Sequence, residues 1–166
     1  IVTKVSHAVK KPVTAKIRIG FEGYPVDPVE IAKIIEDSGA AAVAVHGRTR
    51  QQYYAGEADW DTIRRIKEAI TIPVIGNGDV DSPLKAEALV KQTGCDAVMV
   101  GRAVRGNPWL FRELNHYFRT GELLERPSVE EIREMILRHA RKQIELKGEF
   151  VGIREMRKHV AWYTAG

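Results

Sequence analysis

The stretch PVIGNGDVDSPLKA, residues 73–86, decides the fold class. Its apolar start, residues 74–75, predicts a strand, and the Asn77-Gly78 pair would predict a hairpin if a second alternating strand followed. A helix start follows instead, because residues 81–83 (Asp-Ser-Pro) place a capping side chain before a proline, which is favoured at the first helical position. A strand that runs through Asn-Gly-Asp directly into a helix is typical of a βα unit.

This unit is one of four in the chain. The second predicted strand, AAVAVHG, is continuously apolar and no predicted strand is amphipathic by alternation, as in a parallel sheet that is covered on both faces. One helix is predicted between each pair of strands, which indicates right-handed βαβ connections and a parallel sheet. Equivalent strand positions lie 24 to 31 residues apart, at Val13, Val43, Val74 and Val98.

The pattern changes after GRAVRGNP, residues 101–108. Helices are predicted from Asn107 to about residue 119, over residues 129–147 with a Ser128/Glu131 capping box, and after Gly148. We therefore expect a boundary between residues 119 and 127. It would separate an α/β part, residues 1–119, from a helical part, residues 120–166.

Composition places the chain among globular proteins, since 44% of its 166 residues are apolar and 29% are charged. The net charge of +4 mildly favours anionic partners. The single cysteine, Cys95, suits a reducing, cytoplasmic setting, and no apolar stretch predicts a membrane span. The opening IVTKVSHAV has helical spacing with neither a cap nor a methionine before it, which predicts that the chain is part of a longer protein.

Polar and cationic residues follow all four predicted strands. The carboxyl ends of parallel strands form the ligand-binding edge of such sheets. Glycines, a helix start and an arginine favour a phosphate group there. Taken singly, a strand-end lysine is more often a surface residue, a lone histidine a structural one, and Asn-Gly a plain turn. The strand-end residues are Lys16, Arg18, His46, Arg48, Arg50, Asn77, Gly78, Asp79, Gly101 and Arg102.

Five motifs together resemble the bacterial tRNA-dihydrouridine synthases, and in particular their nitrogen-regulation-type branch. They are PVTAKIRIG, VHGRTRQQYYAGEADW, PVIGNGDV, VMVGRAVRGNPWLF and RKHVAWY. The resemblance covers essentially the whole chain and implies a flavin enzyme. It also implies a TIM barrel, of which this chain would supply strands five to eight, followed by a helical domain.

The family's proton-donating cysteine lies in an Asn-Met-Gly-Cys-Pro loop, and that motif does not occur in this sequence. We therefore expect no catalytic residue among these residues, a structural role for Cys95, and no activity of the chain by itself. Weak or no retention of flavin by the isolated chain is expected, together with self-association through open sheet edges.

The resemblance implies that FMN is the cofactor. Lys16 corresponds to the family lysine at the pyrimidine edge of the flavin, and His46 to a histidine beside it. The flavin phosphate and ribityl chain would be held by two segments, Asn77-Gly78-Asp79 and Gly101-Arg102.

The resemblance also implies tRNA as the partner. Arg48 and Arg50 would face the RNA, or else form a solvated loop pair. A cationic helix face beside Trp162 and Tyr163 suits RNA phosphates and stacking, or else is a charged surface with an aromatic core stripe. The cationic residues of that face are Arg154, Arg157, Lys158 and His159.

The implied reaction is reduction of uridine to 5,6-dihydrouridine in tRNA. NADPH would reduce the flavin, a hydride would reach C6 of a flipped-out uridine, and an acid would protonate C5. No metal and no membrane are expected. Three alternatives stay open: an FMN barrel that reduces a free small molecule, a non-catalytic RNA-binding fragment, and a phosphate-binding barrel without flavin, which would give Lys16 no role.

Overall fold

The computed structural model describes residues 1–21 and 26–165. Backbone contacts divide the chain into two compact units. The first comprises Ile1–Val80 and Leu84–Gly101, and the second comprises Asp81–Pro83 and Arg102–Gly166.

The first unit is built around a four-stranded parallel sheet. Its strands are β1 (Thr14–Arg18), β2 (Ala42–His46), β3 (Val74–Asn77) and β4 (Ala97–Met99), and they pair in sequence order. The helices that accompany them are α1 (Val2–Ala8), α2 (Pro28–Asp37), α3 (Trp60–Ala69) and α4 (Pro83–Thr93). The predicted alternation of strands and helices, and the parallel pairing, are confirmed.

Side-chain caps set the starts of two of these helices. The Asp27 carboxylate accepts a hydrogen bond from the Val29 N–H, with Pro28 at the first helical position. The Asp59 carboxylate accepts from the Thr62 N–H at the start of α3. Each cap satisfies a backbone donor that the first helical turn leaves without a partner inside the helix.

The core of this unit lies around β2 and β3. Val43, Val45 and Val74 are fully buried, and the apolar faces of α2, α3 and α4 contribute further core side chains, among them Ala32, Ile35, Ile63, Ile66, Ala86 and Leu89. A side chain at Gly76 would lie 2.9 Å from Cys95 Sγ, so this glycine allows close packing on β3. The Cys95 thiol is buried, as expected of a structural cysteine.

The second unit is helical in its described residues. A 3-10 helix, Arg102–Val104, is followed by α5 (Leu110–Thr120), α6 (Val129–Lys147) and α7 (Glu149–Thr164). The predicted Ser128/Glu131 capping box is present. α5 begins three residues after the predicted Asn107, because residues 107–109 form a turn in which the Asn107 carbonyl accepts from the Leu110 N–H.

Backbone contacts group α5 with α6 and α7, so this division falls at Gly101 and Arg102. The sequence pattern instead places α5 with the strands and the boundary between residues 119 and 127. In the part of the chain that the structure describes, no helix is both long and apolar enough to cross a membrane.

Candidate functional site

Several predicted strand-end residues of the first unit meet along one edge of its sheet, whereas Lys16 lies within β1 beside Ala44. In the strand register Arg18 lies beside His46, and His46 lies beside Asn77. The Asn77 side-chain amide donates to the Met99 carbonyl at 2.7 Å, which links the ends of β3 and β4. The parallel register thus brings together residues that are far apart in sequence.

Arg48 occupies the centre of this edge. Its side chain is buried, with the residue only 1% exposed. The Nη1 and Nη2 groups donate to the two carboxylate oxygens of Asp79 at 2.7 and 2.8 Å. Nε donates to the Ala55 carbonyl and Nη2 also donates to the Gly56 carbonyl. Each nitrogen of the Arg48 guanidinium therefore has a protein partner.

The Asn77-Gly78-Asp79 turn has an unusual backbone. Gly78 has φ 136° and Asp79 has φ 59°, a left-handed conformation that few residues other than glycine adopt. A side chain at Gly78 would lie 2.5 Å from the Ala58 Cβ. The Asp79 carboxylate accepts from the Ala58 N–H at 2.7 Å, and the Trp60 indole N–H donates to the Gly78 carbonyl at 3.2 Å. The turn is therefore held by the loop that follows β2.

Lys16 and His46 differ in exposure and in charge. Lys16 is exposed, and partial burial together with the neighbouring Arg18 lowers its pKa from the usual value. Among the described residues no hydrogen bond or ion pair reaches its Nζ. His46 is buried, and burial, with Arg18 and Lys16 nearby, lowers its pKa to about 4. The His46 imidazole is consequently neutral at pH 7.

The loop after β2 is also joined to β1. The Arg18 guanidinium donates to the Thr49 carbonyl at 2.8 Å and to the Tyr53 carbonyl at 3.3 Å. Arg50 is exposed, and its guanidinium lies 5.6 Å from the centre of the Phe21 ring. Of the two loop arginines predicted to face RNA, Arg50 is the one at the surface.

The remaining predicted phosphate residues follow β4. Gly101 is exposed and ends the first unit. A side chain at Gly101 would meet no heavy atom within 4 Å among the described residues, and its φ lies outside the left-handed region. Neither packing nor backbone conformation therefore requires glycine at this position. Arg102 is exposed and begins the 3-10 helix of the second unit.

The second unit contains an open cleft of about 580 Å³. Two of the four predicted RNA-binding residues of α7, Lys158 and His159, line this cleft. Arg157 is exposed, and Arg154 lies over Phe150, with its guanidinium carbon 5.2 Å from the ring centre. The other residues that line the cleft are Val104, Arg105, Gly106, His139, Trp162 and Tyr163.

Two cleft residues were missed by the sequence analysis. The Arg105 guanidinium lies 5.1 Å from the centre of the Trp162 ring, and the His139 and His159 rings are 4.5 Å apart. Burial, with His139 nearby, lowers the pKa of His159. Arg105 is a cation in the GRAVRGNP segment, but its position over Trp162 depends on a contact between residues 57 positions apart, which local patterns do not encode.

Gly106 brings that segment close to α7. It has φ 74°, and a side chain there would overlap the Trp162 carbonyl. Within residues 1–21 and 26–165, no group of three or more histidine, cysteine, aspartate and glutamate side chains could hold a metal ion.

Comparison with known proteins identifies the family. Residues 1–166 match the family model described as dihydrouridine synthase (Dus). The chain is 50% identical over 163 residues to "tRNA-dihydrouridine synthase B" of Shewanella oneidensis, covering 98% of this chain and 51% of that protein.

Proteins of the same name from two other bacteria are similar to this chain over nearly its whole length. The Pseudomonas aeruginosa protein is 48% identical over 165 residues, with 99% of this chain and 50% of that protein covered. The Escherichia coli K12 protein is 47% identical over 163 residues, with 98% and 51% covered. The chain therefore spans about half the length of the curated relatives that it matches. Because the family model matches residues 1–166 of this chain, the chain belongs to the dihydrouridine synthase family.

Proposed function

We propose that the intact protein reduces uridine to 5,6-dihydrouridine in tRNA, with FMN as cofactor and NADPH as reductant. The observation that carries this proposal is the array of strand-end residues on one parallel sheet edge, in a chain of the dihydrouridine synthase family. The relatives are named tRNA-dihydrouridine synthase B, which supports this substrate and product.

The fold supports the same proposal at a larger scale. We propose that the four parallel strands are the C-terminal half of a (β/α)8 barrel and that residues 120–166 begin a helical tRNA-binding domain. The family match over residues 1–166 and the half-length coverage of the relatives support this assignment. In the described sheet β1 and β4 each pair on one side only. Because unpaired strand edges can pair with another chain, we still predict self-association of the isolated chain.

We propose that residues at the sheet edge hold a flavin mononucleotide. Among the described residues no heavy atom lies within 4 Å of a side chain added at Gly101, so a phosphate could approach the backbone there. The sequence also predicts a phosphate contact by Arg102, and we keep this as part of the proposal. The Asp79 carboxylate is already bonded to Arg48 and Ala58, so we assign cofactor contact in the 77–79 turn to its backbone and to Asn77. When bound, the reduced flavin would supply the hydride to the uracil ring.

We propose that Lys16 of β1 and His46 of β2 contact the flavin ring. An exposed ammonium group with no described partner is available to stabilise negative charge on a reduced flavin, and Lys16 provides one. The neutral His46 imidazole would contribute a hydrogen bond without adding a second positive charge. We place no catalytic residue in this chain, since the Asn-Met-Gly-Cys-Pro motif of the family does not occur in it.

RNA binding is assigned to two surfaces. In the first unit Arg50 is exposed on the loop after β2. In the second unit Lys158, His159, Trp162 and Arg105 combine cationic and aromatic groups along one cleft, which suits phosphate contact and base stacking. A reductase of a free small molecule would not need this cleft, so its composition favours an RNA substrate.

The test uses the intact protein. We expect it to purify yellow, to release FMN on denaturation, and to oxidise NADPH faster with unmodified tRNA than with free uracil. A colourless protein that takes up no FMN would refute the flavin assignment. A yellow protein whose NADPH oxidation is equal with tRNA and free uracil would refute the RNA assignment.

A further inference from the structure

Arg48 and Asp79 form an ion pair in which the arginine is buried and the aspartate is partly exposed, and the burial of the arginine requires an explanation. The Arg48 side chain is 2% exposed and that of Asp79 is 28% exposed. Removing two charges from water is costly, and a buried pair often adds little net stability compared with apolar residues of similar size. Such a pair does fix geometry, because the planar guanidinium binds both carboxylate oxygens in one orientation.

The geometry that it fixes is the turn after β3. Asp79 is held at φ 59°, which is unfavourable for a residue with a side chain unless its surroundings enforce it. Its carboxylate is bound by Arg48 from one side and by the Ala58 N–H from another. Trp60 holds the Gly78 carbonyl. Because a trans peptide directs its N–H opposite to its carbonyl, fixing that carbonyl also fixes the direction of the Asp79 N–H.

Arg48 itself is anchored in the loop after β2. Its Nε and Nη2 groups donate to the carbonyls of Ala55 and Gly56, so four of its five N–H groups have acceptors when the two bonds to Asp79 are included. The loop and the turn are thus joined through one side chain, across 31 positions of sequence.

We propose that Arg48 is a positioning residue: through Asp79 it holds the Asn77-Gly78-Asp79 backbone in the conformation that receives the phosphate and ribityl end of the flavin, and it does not contact RNA. This inference rests on the proposed function. From the HGRTR motif alone, Arg48 is expected to face RNA or solvent.

The test measures affinity of the intact apoprotein for two ligands, FMN and riboflavin, by quenching of flavin fluorescence. The two ligands differ in the phosphate group, so the ratio of their dissociation constants reports how well the phosphate is held. The variants are Arg48→Met and Asp79→Asn, alone and combined. The control is Arg64→Met, which removes a partly exposed, ion-paired arginine of α3.

We expect each of the Arg48 and Asp79 variants to weaken FMN binding by about tenfold, the loss of roughly one well-oriented charged hydrogen bond. Riboflavin binding should change much less. The double variant should bind FMN about as weakly as each single variant, because each single substitution already removes the Arg48–Asp79 pair. Arg64→Met should leave both affinities unchanged.

If the Arg48–Asp79 pair only stabilises the fold, the variants should have a lower unfolding temperature and should bind FMN and riboflavin equally less tightly. That outcome would overturn the proposal. So would unchanged FMN binding in Asp79→Asn, which keeps an oxygen acceptor for Ala58 and therefore serves as the folded variant if Arg48→Met does not fold. If the unsubstituted protein binds neither FMN nor riboflavin, the proposed function itself fails, which is a distinct result.

Discussion

His46 is held neutral by its surroundings at the end of β2. Burial and three cations, Arg18, Lys16 and Arg48, disfavour its charged form, and Asp79 opposes them only in part. Its pKa of about 4 lies well below the usual value of 6.5. In the unfolded chain the same imidazole is exposed to water and recovers an ordinary pKa. The difference makes the stability of the protein depend on pH.

The sign of this dependence follows from proton binding. Between pH 6.5 and about 4 the unfolded state binds a proton at His46 that the native state does not bind. The free energy of unfolding should therefore fall as the pH falls through this range, by at most about 1.4 kcal/mol per pH unit from this group. Urea unfolding at about pH 7, 6 and 5 measures it, with His46→Gln as the comparison. Equal pH dependence in the two proteins would contradict the assignment.

We predict different effects of alanine substitution at Gly78 and at Gly101 on the free energy of unfolding. Gly78→Ala should lower the free energy of unfolding by about 1–3 kcal/mol, because φ is 136° and the new methyl group would meet Ala58. Gly101→Ala should change it by no more than about 0.5 kcal/mol, because no described atom is near, yet it should weaken FMN binding. Urea unfolding and fluorescence titration separate the two effects. A destabilised Gly101→Ala variant with normal FMN affinity would refute our interpretation of Gly101.

Among elements, α6 and α7 show how a helix pair can bury little and still pack closely. Gly152 of α7 lies against the backbone of α6, where a side chain would be 2.9 Å from the Gln143 carbonyl oxygen. Met156 is buried one turn later. Arg157 and Lys158 point away from this seam and are exposed. The spacing of α7 thus separates a packing face from a cationic face, as amphipathic helices do.

The cationic face predicts a specific salt dependence of tRNA binding. Lys158→Ala should weaken tRNA binding several-fold and reduce the slope of log affinity against log salt by about 1, the value for one phosphate contact. Arg133→Ala, which removes an exposed α6 arginine paired with Glu130, should change neither quantity. Filter binding across a salt series with the intact protein gives both numbers. An unchanged slope in Lys158→Ala would exclude a phosphate contact by this lysine.

Local patterns predicted the elements well for physical reasons. Caps such as Asp27 and Ser128 act within three residues, so their sequence signature and their hydrogen bonds coincide. The late start of α5 was not predictable in this way, because Asn107-Pro108 resembles a helix start while residues 107–109 form a turn. Nor was the burial of Arg48 predictable in this way, because Arg48 pairs with Asp79 in another βα unit.

At the scale of the whole molecule, the periodic spacing of the strands determined what could be predicted. Four apolar runs with one helix between each pair allow few topologies other than a parallel sheet in sequence order, and that order is observed. The same argument placed Lys16, His46 and Asn77 at one edge, which the register bears out for His46 and Asn77 as direct neighbours. The division at Gly101 and Arg102 depends instead on how α5 packs, which strand spacing does not determine.

The central claim is that the intact protein forms dihydrouridine in tRNA with a bound flavin. The most direct measurement incubates unmodified tRNA with the intact protein, FMN and NADPH, and analyses the digested nucleosides by mass spectrometry. We predict a new nucleoside that is heavier than uridine by two hydrogen atoms, formed by the flavin-loaded protein only when NADPH is present and not formed by protein that has been stripped of its flavin. Unchanged uridine after incubation with a flavin-loaded protein and NADPH would contradict the account.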